Sequence, residues 1–512
     1  MQCLRESYGV RGSGEYHLTT MRSLPAWPVA AMMVALFVLS MQLSSSPAQT
    51  TAPETPRATI VSTAPVEMDR NSLATIYSRE LGDKYVPEQL DSLISAHRLI
   101  EDYFTNPSQR KSIVQQLEST KIDPNILGRL TRVRMGWMDL APGVYYINER
   151  VGPHAVKYFL GVPKDYDRTK PWPLVIKLPA ADAFVKDPRP TADMVVIFYR
   201  DWMADEVKRH PDAVVIMPLL NLDELYGPSY AGMFTVIQPM QHVADRLNID
   251  PARVYLIGHS MSAHAVWNLA LHYPMYFAAI NPLAGGASQD WQRLRMMNLR
   301  NVAAVVWHDF NDEVIKVQRS RDLVRIMRQM KFDVDFTETK KIGHVPTDQI
   351  VADCYEKLMP HVRNLYPERI SHQSNRPDSI FNRQDWMQIY QPLNAGDESW
   401  HIVSRGRGHF VAYSNTFKVD ATRDQNRIDA TTDNVASLRF YLNDQMVDFS
   451  KPVTVNVNRK GVFEAIVQPS ADEMLKDQLF VGRGWRYFTG IVDVELGPKP
   501  ATTPTTRPAG SD

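Results

Sequence analysis

One serine stands in a context that could make it a nucleophile. A short apolar run at 254–257 (VYLI) predicts a buried strand, and 258–262 (GHSMS) follows it directly. A helical pattern then continues to 273–274 (YP). A strand, a tight turn and a helix would lift the Ser260 hydroxyl above a sheet and aim N–H groups at developing negative charge. We therefore predict Ser260 as a nucleophile; the alternative is a buried structural serine in a turn.

A nucleophilic serine needs a base, and the base needs an acid that orients it. The apolar run 302–307 predicts a strand, and Asp312 lies in the loop after it. The alternating run 332–336 predicts another strand, and His344 lies in the loop beyond. Because all three residues follow strands, a shared sheet would bring them together at one edge. We predict Asp312 as the acid and His344 as the base.

Other residues compete for both roles. Asp309 and Glu313 are close to Asp312, and His259 and His264 are close to the serine. We expect Asp309 to be a hydrogen-bonding loop residue. The two histidines more often line or support a pocket than act as its base.

The elements that must position these residues alternate between short apolar strands and helices. This alternation predicts an α/β fold with a doubly wound, mostly parallel sheet, and ligands bind such sheets at the carboxyl ends of the strands. We expect 158–163 to form an edge strand. The other elements before the serine are predicted strands at 173–178 and 213–217 and helices near 202–209 and 238–247.

Three blocks resemble the α/β-hydrolases of the esterase D, polyhydroxybutyrate depolymerase and feruloyl esterase group, which is related to the catalytic domain of prolyl oligopeptidases. Residues 249–286, IDPARVYLIGHSMSAHAVWNLALHYPMYFAAINPLAGG, match the block D-x-x-R-V-Y-x-x-G-x-S-M-G-G. Residues 301–324, NVAAVVWHDFNDEVIKVQRSRDLV, match P-V-x-x-F-H-G-x-x-D-x-x-V-P, and 342–344 (IGH) match the histidine loop. The resemblance covers roughly 143–366. It implies an α/β-hydrolase fold with Ser260 as nucleophile, Asp312 as acid and His344 as base.

Two departures from this group concern the donors that would bind an oxyanion. The group usually has L-H-G or L-H-G-G after its second strand, whereas this chain has LPAA at 178–181, and proline has no N–H to donate. We expect the donors to be Met261 together with Ala180 or Ala181. The serine turn also carries Ser262 where the group has glycine, and Lys177 is unusual for a buried strand.

Composition gives no indication of a charged partner. The 512 residues include 57 Lys+Arg and 57 Asp+Glu, so we expect no nucleic-acid partner. Cys3 and Cys354 are too few for a disulfide scaffold or a cysteine metal site. We find no motif for a metal ion or a nucleotide, and expect no cofactor.

The N-terminus reads as a targeting segment. Residues 29–43 form an apolar core, and 46–48 (SPA) fit a small-residue cleavage signal. We predict a signal peptide at 1–48, with translation starting at Met1 or Met21, and a periplasmic or secreted protein. No stable membrane insertion is expected after cleavage; the alternative is an uncleaved anchor.

The remaining chain divides by pattern into five segments. The helical segment is expected to pack on the α/β domain or to cover its pocket, and the β-rich one is predicted to be a small all-β sandwich. Trp386, Trp400 and Trp485 in the latter could stack on sugars, but core packing is the preferred interpretation. The segments are a disordered linker at 49–71, a helical extension at 72–142, the α/β-hydrolase domain at 143–366, a β-rich domain at 367–497 and a disordered tail at 498–512.

The sequence thus predicts a secreted serine hydrolase that cleaves small-molecule or polysaccharide-linked esters through an acyl-enzyme intermediate. Two alternatives stay open. One is a prolyl-oligopeptidase-like serine peptidase, although no repeated blades precede the catalytic segment. The other is a catalytically degenerate binding protein with the same fold, which the altered turn and oxyanion loop would favour.

Overall fold

The computed structural model describes most of the chain beyond the predicted signal peptide. That peptide, the linker as far as residue 64 and the C-terminal tail lie outside the described residues. None of the helices described is long and apolar enough to span a bilayer. The described residues are 65–151, 154–179, 192–219, 233–287, 290–376, 381–402 and 409–497.

The first described segment is helical, as its apolar spacing predicts. A short antiparallel pair, β1 (Val66–Glu67) and β2 (Gly136–Trp137), brackets four helices. The second of these buries one face that includes His97, whose Nδ1 lies 2.7 Å from the Tyr77 hydroxyl. The helices are α1 (Arg70–Leu81), α2 (Leu90–Thr105), α3 (Arg110–Ser119) and α4 (Pro124–Leu130).

The middle segment forms an eight-stranded sheet within the described residues. Its order is β10-β9-β8-β7-β5-β6-β4-β3. Strand β4 runs antiparallel to both of its neighbours, β3 and β6, and the six strands from β10 to β6 in this order run parallel to one another. The strands are β3 (Gly143–Val151), β4 (His154–Val162), β5 (Trp172–Leu178), β6 (Val214–Pro218), β7 (Ile249–His259), β8 (Ala279–Leu283), β9 (Ala303–Asp309) and β10 (Val334–Thr339).

Helices cover both faces of this sheet, and separate apolar cores form on the two faces. The central strands are therefore mostly apolar, and every residue of β6 and β8 is buried. The helices that follow strands are α5 (Ala192–Arg209), α6 (Gln238–Ala244), α7 (Met261–His272), α8 (Asp290–Leu294), α9 (Gln318–Gln329) and α10 (Asp348–Leu358).

The sequence placed one strand of this sheet wrongly. The sequence predicts an edge strand at 158–163, but β4 lies between β3 and β6, and β3 forms the edge on that side of the described sheet. Both neighbouring strands are hydrogen-bonded to β4, and its buried apolar run suits this interior position.

The last described segment contains two main sheets, ordered β11-β16-β17-β19-β20 and β12-β13-β18-β21, and a separate hairpin β14-β15. It also contains helix α11 (Ala471–Val481), so the prediction of an all-β segment is wrong. The strands are β11 (Arg369–Ser374), β12 (Arg383–Gln384), β13 (Met387–Pro392), β14 (Glu398–Ile402), β15 (His409–Tyr413), β16 (Phe417–Asp424), β17 (Arg427–Asp433), β18 (Val435–Leu442), β19 (Val453–Val457), β20 (Lys460–Ala465) and β21 (Gly490–Glu495).

The N-terminal helices pack differently from the expectation. Their buried side chains, from Met68 to Trp137, share one apolar core with buried side chains from Tyr366 to Val494. These helices therefore pack mainly against the C-terminal sheets, and not as a cover over the α/β pocket. Trp386 and Trp485 are buried, as core packing requires, and the side chain of Trp400 lies outside the described set.

Candidate active site

The Ser260 turn has the tight geometry that the sequence predicts. Strand β7 ends at His259 and α7 begins at Met261, so one residue makes the whole turn. Ser260 has φ 60° and ψ −120°, a conformation that costs a residue with a side chain roughly 1–3 kcal/mol. Its N–H donates to Leu283 O over 2.9 Å, which ties the turn to the end of β8.

Asp312, the predicted acid, lies in the turn after β9. Asp312 is 2% exposed, and its Oδ1 accepts the N–H groups of Val314 at 2.8 Å and Ile315 at 2.9 Å. Burial alone would raise the pKa of Asp312, but hydrogen bonds from His308, His344 and the Ile315 N–H hold it well below its usual range. Asp312 is therefore a carboxylate at neutral pH.

His344 contacts both Asp312 and Ser260. Its Nδ1 lies 2.8 Å from Asp312 Oδ2, and its Nε2 lies 2.8 Å from Ser260 Oγ. The carboxylate accepts at Nδ1–H, which leaves the Nε2 lone pair to receive the serine proton. The structure thus brings together the three residues that the sequence selects.

The competing acids have other positions. Asp309 is buried at the end of β9, and its carboxylate accepts hydrogen bonds from Thr339 Oγ1 at 2.8 Å and Ile342 N at 3.1 Å. It therefore ties the strand to the loop that carries His344. Glu313 is exposed and lines the opening beside that histidine.

The competing bases do not contact the serine hydroxyl. His259 Nε2 lies 2.8 Å from the carbonyl oxygen of His344, so its Nε2–H donates there and holds the backbone of the base. Burial lowers the pKa of His259 to about 4, so the ring is neutral at neutral pH. His264 Nδ1 contacts Gly286 O on the other side of the turn.

The predicted oxyanion donors are only partly within the described residues. Met261 is the first residue of α7, where an N–H has no acceptor inside the helix. Its amide is therefore available to an oxyanion. Ala180 and Ala181 lie outside the described residues.

Ser262, which stands where the resembled motif has glycine, has a structural partner. Its buried hydroxyl donates to the carbonyl of Pro179, directly after β5. Proline lacks an N–H but keeps its acceptor, so the two departures form one contact. This contact joins the serine turn to the start of the loop where the second oxyanion donor is expected.

Lys177, in β5, can be buried because its ammonium group has polar partners. Its Nζ lies 3.1 Å from the Tyr355 hydroxyl and 3.5 Å from Glu206 Oε1. Burial alone would lower the pKa of Lys177, but the Glu206 carboxylate outweighs it and the pKa is raised. The ammonium is therefore charged and paired near the carboxyl end of β5.

Two further residues at this site were not selected from the sequence. His308, in β9, lies 3.1 Å from Asp312 through Nε2, and Ser320 lies 2.7 Å from the His308 Nδ1. A histidine four residues before the predicted acid was visible in the sequence, but nothing there showed that its ring points at the carboxylate.

A depression of about 370 Å³ opens beside His344. Two apolar side chains on its wall, Val314 and Ile342, are 44% and 40% exposed, so the opening offers an apolar surface to a substrate. Among the residues described, no group of three His, Cys, Asp or Glu is arranged to hold a metal ion. The lining residues are Asn311, Glu313, Val314, Lys341, Ile342, Gly343 and His344.

Comparison with known proteins gives structural similarity at low identity. No family model matches the chain, and no curated protein matches it. A thermostable esterase is 22% identical over 43% of this chain, with a TM-score of 0.35, and the match spans 63% of that esterase. A feruloyl esterase module from Clostridium thermocellum, complexed with sinapinate, is 11% identical over 43% of this chain and 87% of its own, with a TM-score of 0.33.

An S-formylglutathione hydrolase from Agrobacterium tumefaciens is 12% identical over 43% of this chain and 94% of its own, with a TM-score of 0.33. At TM-scores this low the similarity assigns neither fold nor function. The site is interpreted from its own geometry.

Proposed function

We propose that this chain is a serine hydrolase that cleaves carboxylic esters through an acyl-enzyme intermediate. The observation that supports this most directly is the continuous hydrogen-bonded series Ser260–His344–Asp312, with 2.8 Å at both contacts. A nucleophile, a base within hydrogen-bond reach and an acid that orients the base are the parts such a reaction needs.

Each residue has one role in the proposed reaction. Ser260 Oγ attacks the ester carbonyl carbon while His344 Nε2 takes its proton, and the Asp312 carboxylate stabilises the imidazolium that forms. The carbonyl oxygen becomes an oxyanion, for which Met261 N–H is the proposed donor, with Ala180 or Ala181 as the second.

Collapse of this intermediate breaks the bond to the alkoxy group, which leaves as the alcohol with the proton from His344. Water then attacks the acyl-enzyme, again with His344 as base, and releases the carboxylic acid and Ser260. The net reaction is ester plus water to acid plus alcohol.

Esters are preferred over peptides for two reasons. Residues 70–130 form helices rather than repeated propeller blades, and the opening beside His344 is shallow and partly apolar. The same proposal includes export, with a small-molecule or polysaccharide-linked ester as substrate. A degenerate site is disfavoured because it would not need the serine, base and acid in hydrogen-bonding order.

Labelling with a fluorophosphonate probe tests the nucleophile. We expect the wild-type chain and Ser119→Ala, which changes an exposed helical serine, to be labelled, and Ser260→Ala to remain unlabelled. Folded wild type that takes no label would contradict the proposal and favour a binding role.

Paired substrates then test the reaction type. A p-nitrophenyl ester and a p-nitroanilide with the same acyl group differ only in the bond that is cleaved. We expect turnover of the ester to exceed that of the anilide, and the reverse order would favour the peptidase alternative.

A further inference from the structure

His308 is a buried histidine that the proposed reaction does not yet use. It is the second-last residue of β9, and its side chain is fully buried. Its Nε2 lies 2.7 Å from the Ile315 carbonyl oxygen and 3.1 Å from Asp312 Oδ2. A carbonyl oxygen can only accept, so Nε2 carries a hydrogen and donates into the acid turn.

The other side of the ring is fixed as well. Nδ1 lies 2.7 Å from Ser320 Oγ, and this hydroxyl lies 2.8 Å from the carbonyl oxygen of Gly285. Gly285 is itself next to the nucleophile: a Cβ at that position would lie 2.9 Å from Ser260 O. The ring is therefore anchored in a segment that is close-packed against the serine turn.

These contacts give the ring two routes to the acid. Directly, Nε2 is near the same carboxylate oxygen, Oδ2, that His344 contacts at 2.8 Å. Indirectly, it holds the carbonyl of Ile315, whose N–H donates to Asp312 Oδ1 at 2.9 Å. Rotation of the Asp312 carboxylate would break both sets of contacts.

We propose that His308 is a positioning residue that fixes the Asp312 carboxylate and, through it, the imidazole of His344. This inference rests on the proposed function, because it concerns the same reaction. Loss of His308 would leave substrate binding unchanged but would misorient the base, and misplacement of a catalytic group by about 1 Å can cost roughly 10²-fold in rate.

A double-mutant cycle with the acid separates this role from ordinary packing. We expect His308→Leu to lower kcat for a p-nitrophenyl ester by about 10–100-fold with KM unchanged, and His308→Gln, which keeps an N–H near Nε2, to recover most of that loss. In an Asp312→Asn background, His308→Leu should have little further effect, since the residue through which it acts is gone. His361→Leu, at a half-buried histidine paired with Asp333, is the control and should leave kcat unchanged.

Two results would overturn the inference: a wild-type kcat in His308→Leu, or an equal fold loss in the wild-type and Asp312→Asn backgrounds. If His308→Leu does not fold, Ser320→Ala carries the test, alone and in the Asp312→Asn background. Ser320→Ala keeps the ring but removes the hydroxyl beside Nδ1, so we expect a smaller loss in kcat that disappears in the Asp312→Asn background, and an unchanged kcat in Ser320→Ala would contradict the proposal.

Failure of the proposed function gives a different result. In that case wild type itself shows no serine labelling and no ester turnover. If wild type is labelled at Ser260 and His308→Leu reacts at the same rate, the proposed function stands and only the role of His308 is wrong.

Discussion

Asp312 is the residue on which the geometry of the site converges. Its two carboxylate oxygens have separate tasks: Oδ1 is held by two backbone N–H groups, and Oδ2 faces two histidines. A buried carboxylate is costly unless it is hydrogen-bonded, and here both oxygens are. The same contacts that stabilise the charge therefore also fix its direction.

Substitutions at Asp312 and at the adjacent Glu313 test which carboxylate acts as the acid in the proposed reaction. We expect Asp312→Asn to lower kcat by about 10⁴-fold, because an amide beside Nδ1 favours the wrong imidazole tautomer. Glu313→Gln is the matched control, since its carboxylate is adjacent in sequence but exposed, and its kcat should stay near that of wild type. Steady-state kinetics on one ester decide the matter, and the opposite ranking would make Glu313 the acid.

The sequence predicts Ser260, Asp312 and His344 because each follows a strand and their order along the chain restricts the choice. It does not predict the partners of Ser262 or His308. The Ser262 hydroxyl meets Pro179, and the His308 ring meets Ser320, across distances in sequence that no local pattern encodes. Such contacts become visible only when the sheet places its strand ends together.

At the scale of elements, the site depends on how closely β7 approaches α7. A Cβ on Gly258 would lie 2.6 Å from the Ser262 carbonyl oxygen and 2.9 Å from Val266 Cγ2. The Ser262 carbonyl is backbone of the helix that starts at Met261, so it cannot move without shifting that helix. Glycine is thus required here by close packing, and its φ is not in the left-handed region.

Even one methyl group should disturb this junction. We expect Gly258→Ala to lower the free energy of unfolding by about 1–3 kcal/mol and to reduce kcat by about 10²-fold. Gly461→Ala is the control, because a Cβ there would meet a single atom at 3.6 Å. Denaturant unfolding and ester kinetics on both variants make the comparison, and equal effects would exclude a special role for the junction.

Helix α11 is an element of the C-terminal segment that the predicted all-β arrangement does not contain. Ser470 accepts a hydrogen bond from the Glu473 N–H, and Gly482 ends the helix with φ 97°. A serine followed by a glutamate three residues later, and a glycine after the last turn, are the usual signals of helix ends. They were present in the sequence but were overlooked among the surrounding strands.

At the scale of the whole molecule, a buried charge network joins the C-terminal segment to the α/β segment. Asp385 is 1% exposed and pairs with Arg363 and Arg486. Both arginines reach carbonyl oxygens of the middle segment: Arg363 bonds Phe277 O at 3.0 Å, and Arg486 bonds Met275 O at 2.5 Å. Removal of the carboxylate would leave two buried cations without their shared partner.

We expect Asp385→Asn to lower the free energy of unfolding by about 3–5 kcal/mol. Asp493→Asn, at a half-exposed pair with Arg439, should change it by at most about 1 kcal/mol. Urea unfolding at neutral pH measures both, and equal losses would contradict the assigned importance of burial.

The contacts of Asp385 with Arg363 and Arg486 predict that stability depends on pH. Burial alone would raise the pKa of Asp385, but Arg363 and Arg486 outweigh it and lower the pKa. A depressed folded-state pKa means that the stabilisation is complete above the unfolded value of about 3.9 and is lost as pH falls through the folded value. The difference in free energy of unfolding between wild type and Asp385→Asn, measured by urea unfolding, should therefore become smaller as the pH is lowered below about 3.9.

The core shared by Met68–Trp137 and Tyr366–Val494 has a consequence for synthesis. The α/β segment lies between its two halves, so the helices leave the ribosome long before the strands that cover them. At about 5–20 residues per second the interval is tens of seconds. Throughout that time the apolar face of these helices lacks its C-terminal partner, and before it ends all the strands of the eight-stranded sheet have been synthesised.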